Sequence, residues 1–194
     1  MHPCRPGWPR TSPASVWPSS SSCCAAAGPP AGRAATPEDA ARIVALLNAT
    51  HEREELFIPY TVERLAARLE REPALYGWAH LRLGASAVVG IWPAGVRLLR
   101  ETGATREESV RALVLDFGCA PGAEDELIGL LRAACGPLAK AGFTLLSLFS
   151  SPGGPARAAL TALAVRVEPY VFNMGLPEPE DIASRGLYVD QLYF

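Results

Sequence analysis

Apolar positions recur every three or four residues over two early stretches of the chain and in short unbroken runs further on. That pattern predicts helices first and buried strands afterwards. Thr36-Pro37-Glu38-Asp39 sets a capping hydroxyl, a proline suited to the first helical position and two acids ahead of Ile43, Leu46 and Leu47. A first helix is expected to start there and to end near Asn48. Thr61 announces a second, with Leu65 and Leu69 four apart as an apolar stripe, arginines on the other face, and Glu72-Pro73 to close it. Tyr76 to Leu83 and Ala87 to Trp92 read as two strands joined by Gly84-Ala85-Ser86, an antiparallel hairpin. Pro93 to Arg106 reads as a polar loop, and Arg111 to Phe117 as a buried strand around Leu113, Val114 and Leu115.

Gly118 to Gly122 turns the chain into the strongest helix of the sequence, Ala123 to Ala141, with Leu127, Leu130, Leu131, Ala134 and Leu138 on one side and Pro137 near its end. Gly142 stops it, and Phe143 to Phe149 is a second buried strand. Strand, helix and strand make a β-α-β unit whose strands should run parallel. A short helix from Ala156 to about Leu163 follows, then strands at Val165 to Met174 and Leu187 to Phe194. The fold class expected is α/β, in the form of a mixed α+β sheet built around that central unit, within one domain spanning residues 33–194.

Ahead of this domain, residues 1–32 contain no Leu, Ile or Phe and are broken by prolines from Pro3 to Pro30 and by the Ser19 to Ser22 run. Such a stretch cannot bury enough apolar surface to offset the entropy of ordering it, so a disordered leader is expected. It lacks the apolar run of about 7 to 15 residues that a secretory signal needs, and no run in the chain approaches the roughly 20 residues of a membrane span. A cytoplasmic location is expected. The net charge of -2 gives no electrostatic reason to expect nucleic acid. Three cysteines lie in the leader, while Cys119 and Cys135 stand alone without a C-x-x-C pair, so neither a disulfide framework nor a metal site is indicated.

The order of helix, helix, antiparallel hairpin, strand, long helix, strand, helix and strand resembles the GNAT N-acetyltransferase superfamily. Arg33-Ala34-Ala35-Thr36-Pro37-Glu38-Asp39 resembles the R-x-A-t-p-x-D opening of many bacterial members, and Leu113 to Phe149 resembles the family's central strand, pyrophosphate loop, helix and strand. The resemblance covers about four fifths of the chain. It implies acetyl-CoA as acyl donor, a small-molecule or peptide amine as acceptor, and transfer of the acetyl group between them. One departure comes at once: members have an apolar first strand before that opening, and Pro29-Pro30-Ala31-Gly32 stands in its place. That strand is expected to be lost or replaced.

In the family the donor pyrophosphate rests on backbone N–H groups at the start of the long helix, in a loop of form Q/R-x-x-G-x-G/A, because a helix N-terminus attracts anions. Carried over residue by residue, Phe117, Gly118, Cys119, Gly122 and Ala123 become the donor-binding candidates. Cys119 stands where Gln or Arg belongs, Gly122 matches, and Glu124 replaces the last small residue. Glu124, Asp125 and Glu126 crowd the same helix start, where they stabilise the helix dipole and repel a diphosphate. The family's thiolate-protonating tyrosine falls on Thr161, whose hydroxyl cannot act as that acid at neutral pH. Tyr170, on the next strand, is the nearest substitute, with a place in the core as the alternative.

Asp116 is the leading candidate for general base, since an acid in an apolar strand must be paired or functional; the competing reading is a structural carboxylate held by an arginine. His80 and Glu168 are further candidates, His80 serving equally well on a solvated hairpin face. Between the first two helices, Phe57 and Tyr60 could wall an acceptor pocket, with His51 as its polar group or as a helix-end residue. The second functional reading is a catalytically inactive GNAT-like module, acting as a homodimer or beside a second GNAT-like domain. Donor binding requires a gap between the two central strands.

Overall fold

The computed structural model describes residues 32–54, 56–102, 104–150 and 153–164. The expected leader, apart from Gly32, and the two C-terminal strands with Tyr170 and Glu168 lie outside the described residues. Among the described residues the elements follow in this order: β1 (Arg33–Ala34), α1 (Ala40–His51), α2 (Val62–Arg71), β2 (Leu81–Leu83), β3 (Ala87–Thr102), β4 (Thr105–Cys119), α3 (Glu124–Lys140), β5 (Leu145–Leu148) and α4 (Arg157–Leu163). The strands form one mixed sheet in the order β1-β2-β3-β4-β5. The first four run antiparallel, and β4 pairs β5 in parallel through α3, the expected β-α-β unit.

Alternate residues of the strands face two separate cores. Leu81, Leu83, Val88 and Leu115 pack with Ile43 and Leu47 of α1 and Leu65 and Leu69 of α2. Ala87, Val89, Ile91, Ala112 and Val114 pack on the other side with Leu127, Leu130 and Leu131 of α3 and Leu160 of α4. The sheet is thus covered on both faces. Among the described residues no helix is long and apolar enough to cross a membrane.

The opening motif explains itself physically. The guanidinium of Arg33 pairs with the Asp39 carboxylate, which also accepts from the Thr36 N–H at 2.9 Å. These bonds hold Asp39 well below the usual carboxylate range, Arg33 first and the Thr36 amide next. Arg33 lies on β1 and Asp39 precedes α1, so the pair ties sheet to helix. Arg33 and Ala34 of the opening themselves form β1 and pair with Leu83 and Arg82 of β2, while residues 29–31, where the family's strand was expected to be lost or replaced, lie outside the described residues.

Several expectations need correction. Tyr76 to His80 is not strand: Trp78–His80 forms a short 3-10 turn, and only Leu81–Leu83 joins the sheet. The first helix runs on to His51 rather than ending near Asn48. The stretch Pro93 to Arg106 is no loop; β3 and β4 continue through it as a ribbon to the pair Thr102 and Thr105. Arg97, opposite Val110, reaches diagonally across the ladder to Glu108, opposite Leu99, in a 3.2 Å bridge, a cross-strand contact that composition does not reveal. Cys135 is half-buried, its thiol turned to the Leu131 carbonyl at 3.4 Å.

The ladder between β3 and β4 slips once in a way that matters for the site. Gly90 faces Asp116 and Ile91 faces Val114, leaving Leu115 as an extra residue in β4. A bulge of this kind bends its strand and shifts the side-chain alternation by one. Leu115 and Asp116 consequently both turn to the α1 and α2 side.

Candidate functional site

Asp116 is buried in that layer at 2% exposure. Its carboxylate accepts from Arg68 Nη1 at 2.8 Å and from the Tyr76 hydroxyl at 2.5 Å. Arg68 also donates to the Tyr60 hydroxyl, and its guanidinium stands 5.7 Å from the Tyr60 ring and 5.8 Å from the Tyr76 ring. Burial, followed by the Asp116 charge, pushes the Tyr76 hydroxyl well above its ordinary range and keeps it neutral. Gly90, directly across the ladder, is what makes room: a Cβ there would fall on the Tyr76 hydroxyl. This carboxylate is engaged from two sides, the arrangement of a structural ion pair.

Arg68 is the partner that the sequence reading placed on the wrong face of α2. It lies three residues after Leu65 and next to Leu69, hence on their side of the helix, and its side chain is 7% exposed. That spacing was the available signal.

His51, the last residue of α1, is also buried, at 4% exposure. Its Nε2 is 2.8 Å from the Phe117 carbonyl, which can only accept, so Nε2 carries a proton. Nδ1 meets the carboxylate of Glu54, three residues further along the chain. The ring lies edge-on to Phe117 at 4.9 Å and near Phe57 at 5.6 Å. Phe57 in turn is 6.3 Å from the ring of Tyr60, whose backbone is held at both N–H and C=O by Asn48. His51, Phe57 and Tyr60 do come together, as one internal cluster between α1, α2 and β4. His80 sits apart, on the 3-10 turn, its Nδ1 accepting from Gly77 N–H at 3.0 Å and its ring 5.7 Å from Tyr76.

The donor-binding candidates follow one another along the end of β4 and the turn to α3. Pairing between β4 and β5 stops at Val114 and Leu148, while β4 runs on to Cys119. The last pair therefore immediately precedes the bulge residue Leu115. Beyond it, α1 meets β4: Thr50 accepts from the Cys119 N–H at 2.8 Å, His51 holds the Phe117 carbonyl, and a Cβ on Gly118 would stand 2.9 Å from the Leu46 carbonyl. Cys119 is buried, and burial first, then Glu124 and Glu126, pushes its thiol up to about 11, so it remains a neutral thiol.

Gly122 adopts φ +79, a left-handed turn that favours glycine, with open space where a Cβ would be. Ala123 caps α3 with no side-chain bond to its first turn. Glu126 reaches away from its own helix start: its carboxylate accepts from the amides of Ala85 and Ser86, the latter at 2.7 Å. Arg42 donates to the carbonyls of Gly84 and Ala85 in the same turn, and Ala120 N–H donates to the Ser86 carbonyl at 2.8 Å. The β2–β3 turn is thus fastened to α1, to α3 and to the end of β4. Neither Glu126 nor Arg42 stood out in the sequence as a clamp, because each bonds backbone groups some forty residues away.

No protein-family model matches the chain, and no curated protein does. Among solved structures, a mutant of TTHA1254 from Thermus thermophilus is similar at 20% identity, over 76% of this chain and 98% of that one, with a TM-score of 0.42. Wild-type TTHA1254 from the same organism is similar at 19% identity over the same shares, with a TM-score of 0.41.

Proposed function

We propose that the chain binds acetyl-CoA and is an acyl-CoA-dependent N-acetyltransferase-like protein, the donor lying where β4 leaves β5. The observation that carries this reading is the coincidence of the β4 bulge at Leu115 with the end of the β4–β5 ladder at Val114 and Leu148. A bulge at that position would bend β4 away from β5 and make room between the two strands for the donor. The thioester arm would run along β4 from Leu115, and the pyrophosphate would meet the amides that start α3 beside Gly122, where a positive φ and open space admit a bulky group.

In the reaction an amine nitrogen attacks the thioester carbonyl, the C–S bond breaks, and coenzyme A leaves as thiolate and takes up a proton. Positioning is the protein's main contribution. With Asp116 engaged by Arg68 and Tyr76, the amine proton leaves to water at the cleft mouth.

A second reading, a catalytically inactive module, is favoured by a specific observation: Thr50 and His51 of α1 already hold the backbone of β4 at Cys119 and Phe117. Incubating the chain with acetyl-CoA and a panel of primary amines separates the two. Release of coenzyme A thiol above the buffer rate supports the enzyme, and saturable binding without release supports the inactive module. No binding at millimolar acetyl-CoA contradicts the donor site itself.

A further inference from the structure

The ribbon formed by β3 and β4 outruns the rest of the sheet. β2 pairs β3 only up to Gly90, and β5 pairs β4 only from Arg111 onward. Thr144 closes that side, its N–H on the Val110 carbonyl at 2.9 Å and its hydroxyl accepting from the Val110 N–H at 2.9 Å. From Arg97 to Thr102 on one strand and Thr105 to Ser109 on the other, the ladder has two strands and no third among the described residues. At its base, β3 carries extra residues between Trp92 and Val96, including Pro93 and Gly95 at φ +63, an irregularity of the kind that bends a strand.

A two-stranded ribbon in water is marginal by itself and gains from a further strand. Exposed edges are ordinarily blunted by proline, by charged side chains or by a bulge. Here proline and bulge stop at Gly95, and the stretch Val96-Arg97-Leu98-Leu99-Arg100-Glu101-Thr102 carries charges of both signs, which a second copy can match. Leu99, in its centre, is 48% exposed, and the Arg97 side chain beside it is 76% exposed.

We propose that β3 pairs edge to edge with β3 of a second copy of this chain, antiparallel about a two-fold axis at Leu99. A two-fold axis through an antiparallel ladder sets one residue opposite its own copy, so only a few registers are possible. Centred on Leu99, Leu99 meets Leu99 and Arg97 comes opposite position 101, a glutamate in the sequence. Centred on residue 100, arginine would meet arginine. Centred on residue 98, Arg97 would meet Leu99 and no charge would be matched. Opposite charges directly across a ladder favour pairing and like charges oppose it, which selects the first register. This inference is independent of the donor site.

The test is light scattering coupled to size exclusion on the full chain over a micromolar to submillimolar range, with charge variants. The wild type is expected to run as a dimer at the upper end, R97E to shift the transition at least tenfold to higher concentration, and R97E/E101R to restore it. L99C should form an intermolecular disulfide on mild oxidation faster than wild type and R100C, because only position 99 faces its own copy. A monomer at every concentration overturns the proposal. A dimer indifferent to R97E also overturns it, by locating the interface elsewhere.

Discussion

Replacing Gly90 by alanine tests the buried ion pair more sharply than removing the acid would. The new Cβ would fall far inside van der Waals contact of the Tyr76 hydroxyl, 3.0 Å from its Cζ and 3.3 Å from Asp116 Cβ. Tyr76 is 3% exposed and cannot swing into solvent without opening the core. Overpacking of this kind costs about 1–3 kcal/mol. If the ring moves, the hydroxyl also abandons its hydrogen bond to a charged acceptor, worth about 1.5–3 kcal/mol. The expected loss for Gly90→Ala is therefore about 2.5–6 kcal/mol.

Tyr76→Phe removes the clashing atom and the same hydrogen bond, at about 1.5–3 kcal/mol. Because both single variants lose that one bond, the double variant should cost less than their sum, with a coupling of about 1.5–3 kcal/mol. Urea unfolding of the four proteins, compared by midpoint at constant slope, reads this directly. A Gly90→Ala variant within about 1 kcal/mol of wild type, or strictly additive losses, would refute the packing described around Asp116.

Other outcomes follow from the same geometry. Cys119, with its thiol pushed up to about 11, should label far more slowly than an unfolded control with a thiol reagent at pH 8, and faster as pH rises; rapid labelling of native protein at pH 8 would contradict its burial. The Asp39 carboxylate is held below its ordinary range, so the folded state binds its proton more weakly than the unfolded chain does. The stability it lends is present above a pH of roughly 4 and is lost as pH falls through and below that value. Asp39→Asn should flatten the acid limb of a plot of urea midpoint against pH, and an unchanged limb would count against the Arg33 pair. Glu126→Gln should cost about 1 kcal/mol by loosening the β2–β3 turn, seen as faster amide exchange at Ala85 and Ser86.

The helix starts were the most legible part of the sequence, because each depends on residues that touch within one turn. Thr61 caps α2 by accepting from Arg64 N–H, and Thr36 with Asp39 closes the box ahead of α1. The β-α-β unit was legible for a similar reason, its strands being short apolar runs on either side of an amphipathic helix. The bulge was not: one extra residue in Leu113-Val114-Leu115-Asp116-Phe117 leaves no mark in composition, and only pairing with Gly90 and Ile91 exposes it. The long ribbon was hidden because its support comes from residues eleven apart, such as Arg97 and Glu108, and not from local propensity.

For the site, an acid in an apolar strand marked Asp116 correctly as a position requiring a partner, whereas Arg68, three residues after Leu65, was hidden among the arginines of α2 that read together as its solvent face. His51 drew notice as a polar helix-end residue; Glu54, three residues on, lay within local reach, whereas its contact with Phe117 depends on how α1 meets β4, which no local pattern encodes.

The donor-site reading is tested most directly by backbone amide NMR shifts during titration with acetyl-CoA. The account predicts saturable shifts concentrated at Leu115 to Cys119 on β4 and at Ala123 to Asp125 on α3, with the far ribbon at Arg97 to Ser109 unmoved. Absence of shifts at millimolar ligand, or shifts confined to residues outside β4 and the start of α3, would contradict it.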